Sequence, residues 1–382
     1  MGGSAGVHTT HKATEPLLIA GARILAKGRA VRRDILIRDG TITSVRNPSQ
    51  RKNFRGQTID AKGLLAMPGL IDTHVHFREP GHAHKEDWRT GSRAAAAGGI
   101  TTVFDMPNTS PPTFTRYDLE HKRNLASEKS IVNFGLYLGA SLAYPQELAD
   151  PEVMKQVPGV KYYFDRTTGN YTISLYGTGR ELVRQLLRHT AQSGRVAVMH
   201  AEGMSARDGL ALAREAECPA MIAHTPGVEE LDYIAEARRH TSTPIYCEVA
   251  PHHLFMTKSA LKEYGPFAQM KPPLQTKRDM EELWTWIRKG LVDTIGSDHA
   301  PHTTNEKLME DCCPHGVPGL ETTLPLLLNA YHRKMLPLHR IQEMCSTNPA
   351  RIFGIQGKGR LKRGYDADLV LHRPQERGQG GE

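Results

Sequence analysis

Gly69-Leu70-Ile71-Asp72-Thr73-His74-Val75-His76-Phe77-Arg78-Glu79-Pro80-Gly81 begins as an apolar run and ends in two histidines, an arginine and a Pro-Gly turn. Alternate residues of a strand share a face, so His74 and His76 point the same way. Two adjacent imidazoles form a natural metal chelate, because each offers a neutral nitrogen lone pair. Alone, such a pair also fits two polar residues at an ordinary strand end. What surrounds the stretch decides between the two readings.

Moving outward, seven more apolar strand candidates follow, giving segments near 69–77, 101–106, 132–138, 159–164, 195–200, 220–224, 244–249 and 294–298. Helical patterns alternate with them, at Glu86 to Ala97, Arg180 to Ala191, Glu229 to Arg239 and Arg278 to Lys289. Leu182, Leu186 and Leu187 show the apolar spacing of a helix. Eight strands alternating with helices predict an α/β fold, a closed (β/α)8 barrel of the TIM type. No dinucleotide fingerprint or Walker sequence supports the open-sheet alternative. In such a barrel the C-terminal strand ends converge on one mouth. Here Met199-His200, Ala223-His224 and Ser297-Asp298 close three of the strands, and Lys161 lies in a fourth. One histidine at a strand end is most often structural. Imidazoles and a carboxylate at the same end of several strands predict a metal site. The absence of thiolate suits zinc, with manganese, cobalt or iron as alternatives. From the bare sequence, Lys161 is an ordinary lysine, since an ammonium has no lone pair for a metal.

The whole chain is consistent with an enzyme of this kind. It has 382 residues, of which 39% are hydrophobic and 24% charged, so a large core is within reach and disorder is not expected across most of it. No apolar run approaches the ~20 residues that span a membrane. The net charge of +8 is dispersed, with short clusters such as Arg32-Arg33, and no nucleic-acid motif occurs. The cysteines number 5, without a Cys-x-x-Cys, so neither a thiolate zinc site nor a disulfide framework is indicated and a reducing, cytoplasmic location is the expectation. Histidines number 19.

The stretch over 17–66 reads differently from the barrel. Leu17-Leu18-Ile19-Ala20, Asp34-Ile35-Leu36-Ile37 and Thr41-Ile42-Thr43-Ser44-Val45 are short strands, the last two joined by an Asp39-Gly40 turn. The expected organisation is a disordered tail over 1–16, a small β domain over 17–66, the barrel over 67–354, the rest of the β domain over 355–372, and a second disordered tail over 373–382.

Several motifs together carry a family resemblance. They are the Gly69–Gly81 stretch, Met106-Pro107-Asn108-Thr109, His200-Ala201-Glu202, Glu248-Val249-Ala250-Pro251-His252-His253-Leu254, Ser297-Asp298-His299-Ala300-Pro301-His302, Gly316-Val317-Pro318-Gly319-Leu320-Glu321-Thr322 and Asn348-Pro349-Ala350. Over residues 17–370 the chain resembles dihydroorotases of the longer, bacterial and archaeal type, within the amidohydrolase superfamily. The resemblance implies two zinc ions, one held by His74, His76 and Asp298 and the other by His200 and His224. Lys161, carboxylated by CO2, would bridge them. It implies reversible hydrolysis of the cyclic amide of dihydroorotate to N-carbamoyl-aspartate, in pyrimidine biosynthesis, by metal-bound hydroxide. Asp298 would be the catalytic proton shuttle, and Arg78, Asn108 and His302 would bind the substrate carboxylate. A guanidinium fork suits that carboxylate.

Other groups have weaker expectations. His252, His253 and Glu248 are read as supporting polar groups, and His82 and His84 as residues lining the mouth. The loop from Asp165 to Asn170 is placed to fold over a substrate, and Cys312-Cys313 to lie in a covering loop. Two departures from the family stand out. Lys271-Pro272-Pro273-Leu274-Gln275 replaces the usual Asn-Pro-Pro-Leu-Arg, which puts one side of the ring pocket in question. The chain also stops soon after Asp366-Ala367-Asp368-Leu369-Val370-Leu371, so the small β domain is abbreviated or its edge is covered by another chain. Alternatives are another cyclic amidase of the allantoinase or hydantoinase type, and a non-catalytic scaffold for aspartate transcarbamoylase. The partners considered are the small-molecule substrate, a second copy of the chain, and that transcarbamoylase.

Overall fold

The computed structural model describes residues 6–9, 15–26, 28–48, 54–167, 169, 171–309 and 313–373. Eight parallel strands form the barrel: β1 (Leu70–Val75), β2 (Ile100–Asp105), β3 (Asn133–Leu136), β4 (Gly159–Tyr163), β5 (Val196–His200), β6 (Ala220–Ile222), β7 (Ile245–Val249) and β8 (Thr294–Ile295). Each falls on an expected strand. The ladder runs in sequence order, with Leu138–Gly139, just beyond β3, making the pairing to β4. Closure comes just past β8, where Val75 bridges His299 in parallel and the Ser297 amide donates to Asp72 Oδ1 at 3.0 Å.

The helices start where the sequence supplies caps. Trp88–Ala97 begins one residue after Asp87, whose carboxylate accepts from the Thr90 amide in a capping box, so the expected start at Glu86 shifts inward. Thr276 and Asp279 do the same for Lys277–Lys289. Strand parity then divides the apolar residues between two cores. Ala197 and Met199 of β5 pack outward with Leu186, Leu187 and Ile287, in the layer between barrel and helices. Val196 and Val198 pack inward with Ile71, Phe104, Tyr137, Met221 and Phe353. The barrel is thus filled from within and has one open end, the mouth.

A second, six-stranded sheet draws on both ends of the chain. Its order is Leu369–His372, Leu65–Pro68, Leu17–Ala26, Arg29–Arg38 and Thr41–Arg46, with Gln57–Asp60 also paired to Leu17–Ala20. Asp39 and Gly40 both have positive φ, 49° and 69°, the hairpin turn expected of that pair. The expectation of a disordered tail over 1–16 fails for Val7–His8. These residues pair antiparallel with Phe134 and Gly135 on the free edge of β3, where Val7 packs on the inner core and the His8 ring stacks on Phe134. Residues 1–5, 10–14 and 374–382 of the expected tails lie outside the described residues, as do Thr168, Asn170 and Cys312.

Candidate metal centre and substrate cleft

Parity and local bends bring the expected ligands to one mouth. Val160 and Tyr162 of β4 belong to the outer core, so Lys161 between them points inward. His200 continues the inward series of Val196 and Val198. His224 does not follow its strand. Met221 and Ala223 are inward, so an extended chain would send His224 out; instead its φ is 36°. Asp298, three residues beyond β8, has φ 49°, and Arg78 has φ 31°. Such backbone is costly for residues with a Cβ and persists where the surroundings impose it, often at functional sites.

His74, His76 and Asp298 form one group, with a ligand atom from each lying within 4.8 Å of the others. Asp298 Oδ1 is 3.4 Å from His74 Nε2 and 3.2 Å from His76 Nε2. Burial pushes the His76 imidazolium down to about 4, with the Asp298 carboxylate opposing that shift, so the ring is neutral at pH 7. Its Nδ1 lies 2.8 Å from Asn108 Oδ1, an acceptor, so the ring proton belongs there. The Nε2 lone pair therefore faces a carboxylate. Burial would raise the Asp298 carboxyl, but positive charge on its side of the mouth, at His74 first, holds it well below its usual range. Converging acceptors without a hydrogen between them are the arrangement a cation satisfies, so the donor set fits a metal.

Across the mouth, His200 Nδ1 lies 2.9 Å from His224 Nε2, and both rings are buried. Lys161 is 1% exposed, and its Nζ has no hydrogen-bond partner among the described residues; neither has His224 Nδ1. Desolvation pushes the Lys161 ammonium down to about 8, with Glu248 and Asp298 opposing it. An unpartnered buried amine costs free energy unless something completes its surroundings.

Arg78, Asn108 and Lys271 line one narrow cleft together with His76 and Asp298. Arg78 Nε donates to the Pro301 carbonyl at 3.0 Å. His302 lies against Arg78, its Nε2 3.0 Å from Arg78 Nη2, and is absent from the cleft lining; His315 and Gly316 line it instead. Burial, Arg78 and Lys85 push the His302 imidazolium down to about 3, which keeps the ring neutral. Lys271, the departure from the family pattern, thus faces the cleft, with its Nζ donating to the Arg166 carbonyl at 3.1 Å. Thr167 of the Asp165 loop also lines it, and Tyr171 ties that loop to the Thr109 carbonyl at 3.1 Å. His84 is exposed and meets Glu306 at 3.1 Å. Cys313 is half-buried, with its Sγ 3.7 Å from the Pro266 carbonyl.

A family model described as the amidohydrolase family matches residues 65–377. The chain belongs to the amidohydrolase family. It is 36% identical over 374 residues to the dihydroorotase of Halobacterium salinarum, covering 90% of this chain and 87% of that protein. The dihydroorotase of Geobacter sp. (strain M21) is 32% identical, covering 94% and 89%. Among solved structures, an L-hydantoinase (dihydropyrimidinase) from Arthrobacter aurescens superposes with a TM-score of 0.85 at 26% identity, covering 93% of this chain and 86% of that one. These findings bear out the resemblance read from the motifs, the barrel fold, and a metal-dependent hydrolase acting on a small molecule. No helix among the described residues of this amidohydrolase is long and apolar enough to cross a membrane.

Residue-by-residue reading undervalued three groups. Glu248, expected only as a supporting polar group, is 1% exposed and accepts from Thr73 Oγ1 and His74 Nδ1, both at 2.7 Å. Asp72 binds the His74 and Ser297 amides, each at 3.0 Å, and burial pushes its carboxyl up to about 7. Glu202 lies 3.5 Å from His200 Nε2 and 4.0 Å from Lys271 Nζ. A carboxylate placed on or just after a barrel strand was the available signal for each.

Proposed function

We propose that this chain is a dihydroorotase, opening and closing the cyclic amide that relates dihydroorotate to N-carbamoyl-aspartate. One observation carries the reading: a buried guanidinium, Arg78, opens into the same cleft as His76 and Asp298. A substrate with a carboxylate on one side and a scissile ring amide on the other is the ligand that such a cleft suits. Hydantoinase chemistry, the activity named for the structural neighbours, needs no carboxylate site and is the second reading.

His74, His76 and Asp298 would hold one zinc ion, and His200 and His224 the other. Lys161 would bridge them after reacting with CO2. Its neutral amine forms an N–C bond to the CO2 carbon, one N–H proton leaves to solvent, and a carbamate anion with two oxygens results. When bound, the ions lower the pKa of water toward ~7 and polarise the carbonyl. Arg78 and Asn108 orient the substrate by its carboxylate, with His302 supporting Arg78. Asp298, held as a carboxylate, takes a proton from the attacking water. As the C–N bond breaks, Asp298 returns that proton to the leaving ring nitrogen, and the product carries a new carboxylate and a ureido group. The described cysteines, Cys218, Cys247, Cys313 and Cys345, are free thiols, which accords with a reducing, cytoplasmic setting.

The test is metal analysis beside turnover. Protein loaded with zinc should bind about two ions, as a bridged site requires, and convert dihydroorotate faster than hydantoin or allantoin. Bound metal without turnover of dihydroorotate rejects the proposal, and preferred turnover of hydantoin favours the second reading.

A further inference from the structure

Glu248 sits near the end of β7 with its carboxylate buried between β1 and β8. Its two oxygens serve three donors. Oε2 accepts from Thr73 Oγ1 at 2.7 Å. Oε1 accepts from His74 Nδ1 at 2.7 Å and from the backbone N–H of His224 at 3.3 Å. Residue 296 makes room for it. A Cβ built on Gly296 would lie 2.7 Å from the Glu248 carboxyl and 2.9 Å from His74 Cβ, so only glycine lets the three come together.

An ionised carboxylate can only accept. His74 Nδ1 must then carry a proton, and in the neutral ring that a metal requires this leaves Nε2 as the lone pair on the side of Asp298, 3.4 Å away. The same oxygen holds the amide of His224, at the residue whose φ of 36° turns its ring back into the mouth. One side chain therefore reaches both halves of the site: it sets the tautomer of an imidazole in one and the backbone turn of an imidazole in the other.

We propose that Glu248 is a positioning residue that fixes His74 as the Nδ1–H tautomer and ties it to the His224 turn, so that both halves are shaped before a cation arrives. This rests on the metal reading above. Partners that orient ligating imidazoles are worth 10–100-fold in metal affinity as a general rule.

Two variants and two readouts test it. E248Q keeps the shape and removes the charge; E248L removes every acceptor. Zinc affinity is measured by competition with a chromophoric chelator, and the tautomer of His74 by ¹⁵N shifts of the metal-free protein. The expected result is an affinity loss of about 10-fold in E248Q and about 100-fold in E248L. The His74 nitrogens should move toward a mixture of tautomers in E248L. Wild-type affinity with an unchanged tautomer in E248Q and E248L overturns the proposal. If E248L does not fold, T73V with E248Q serves, because Thr73 holds the other carboxylate oxygen; the pair should lower affinity and leave His74 Nδ1 protonated, and unchanged affinity in both would again overturn the role. Wild-type protein that binds no zinc would reject the metal reading, while the metal-free ¹⁵N measurement still decides the role of Glu248.

Discussion

Around β1, each imidazole of the site has its far nitrogen in the hands of a partner, His74 with Glu248 and His76 with Asn108. Across the barrel the pattern reverses. His224 Nδ1 and Lys161 Nζ are buried with no hydrogen-bond partner among the described residues, and His200 and His224 face each other at 2.9 Å. One side is therefore shaped by neighbouring side chains. The other is shaped by strand parity and by the His224 turn, whose amide Glu248 holds, while the ring and amine atoms themselves wait for something to complete them. The difference implies that the β1 side can hold a cation unaided, whereas the Lys161 side depends on a group that the fold does not itself supply.

Replacing Lys161 with Ala is the most severe way to break that comparison. Metal analysis should then show retention on the His74–His76–Asp298 side and loss of the second ion. Turnover should fall on the order of 10³-fold or more, the scale of losing several kcal/mol of charge stabilisation. Loss of both ions would show that the first side is not self-sufficient. Unchanged occupancy would show that the second does not need Lys161.

Lys161 also sets a pH dependence. Burial lowers it from 10.5 to about 8, so roughly a tenth of the amine is neutral at pH 7, against roughly 0.03% for an ordinary lysine. At fixed dissolved CO2, the initial rate of carbamate formation in the metal-free protein, followed with ¹³CO2 by NMR, should rise about tenfold per pH unit below 8 and flatten above it, because the neutral amine is the attacking species. The stability term has the same direction. The folded pKa lies below the unfolded one, so the unfolded chain binds more protons between about 8 and 10.5, and Lys161 adds stability as pH rises through that window. An initial rate flat from pH 6 to 8 would contradict an amine of this acidity.

Changing Arg78 to Lys separates the cleft from both metal-facing sides. The guanidinium is buried, and its geometry matches a carboxylate at two points where an ammonium matches at one. KM for dihydroorotate should rise about 10–100-fold, as expected for a charge-assisted hydrogen bond worth ~1.5–3 kcal/mol, with kcat changed far less and the metal content unchanged. A drop in metal content would mean that Arg78 belongs to the first side after all.

How much of this could be read from the chain depends on what kind of information placed each residue. His200 was legible as the end of an apolar strand, whereas Lys161 read as an ordinary lysine until the family motifs gave it a role; strand alternation is what turns both inward. The eight strands and the helical segments were legible from local apolar patterns, whereas the caps that set the helix starts were not read. His224 was found by its position after an apolar run, but the bend that turns it inward follows from tertiary contacts. Glu248 lies 174 residues from His74 in sequence, and no local pattern announces that pairing. Val7–His8 was missed because two residues carry too little pattern to predict a strand; their partner is the free edge of β3, which exists only once the barrel forms. His302 was legible as part of a motif, yet its place against Arg78 depends on how the loop beyond β8 folds.

Lys271 offers the smallest effect and the finest discrimination between the two sides. Its ammonium lines the cleft, but it also lies 4.0 Å from Glu202, whose carboxylate is 3.5 Å from His200 on the Lys161 side. The side chain is about one-third exposed, so its charge is partly screened by solvent and should be worth well under a buried pair. K271N should therefore change KM by only roughly 2–5-fold, the range of a weak, solvent-facing ionic contact. The cofactor readout decides which side the lysine serves. If Lys271 acts on the substrate through the cleft, zinc affinity stays at the wild-type value while KM moves, and added salt erases the difference. If it acts through Glu202 on His200, affinity for the second ion falls with it, and the asymmetry between the two sides extends one residue further out, to the mouth itself.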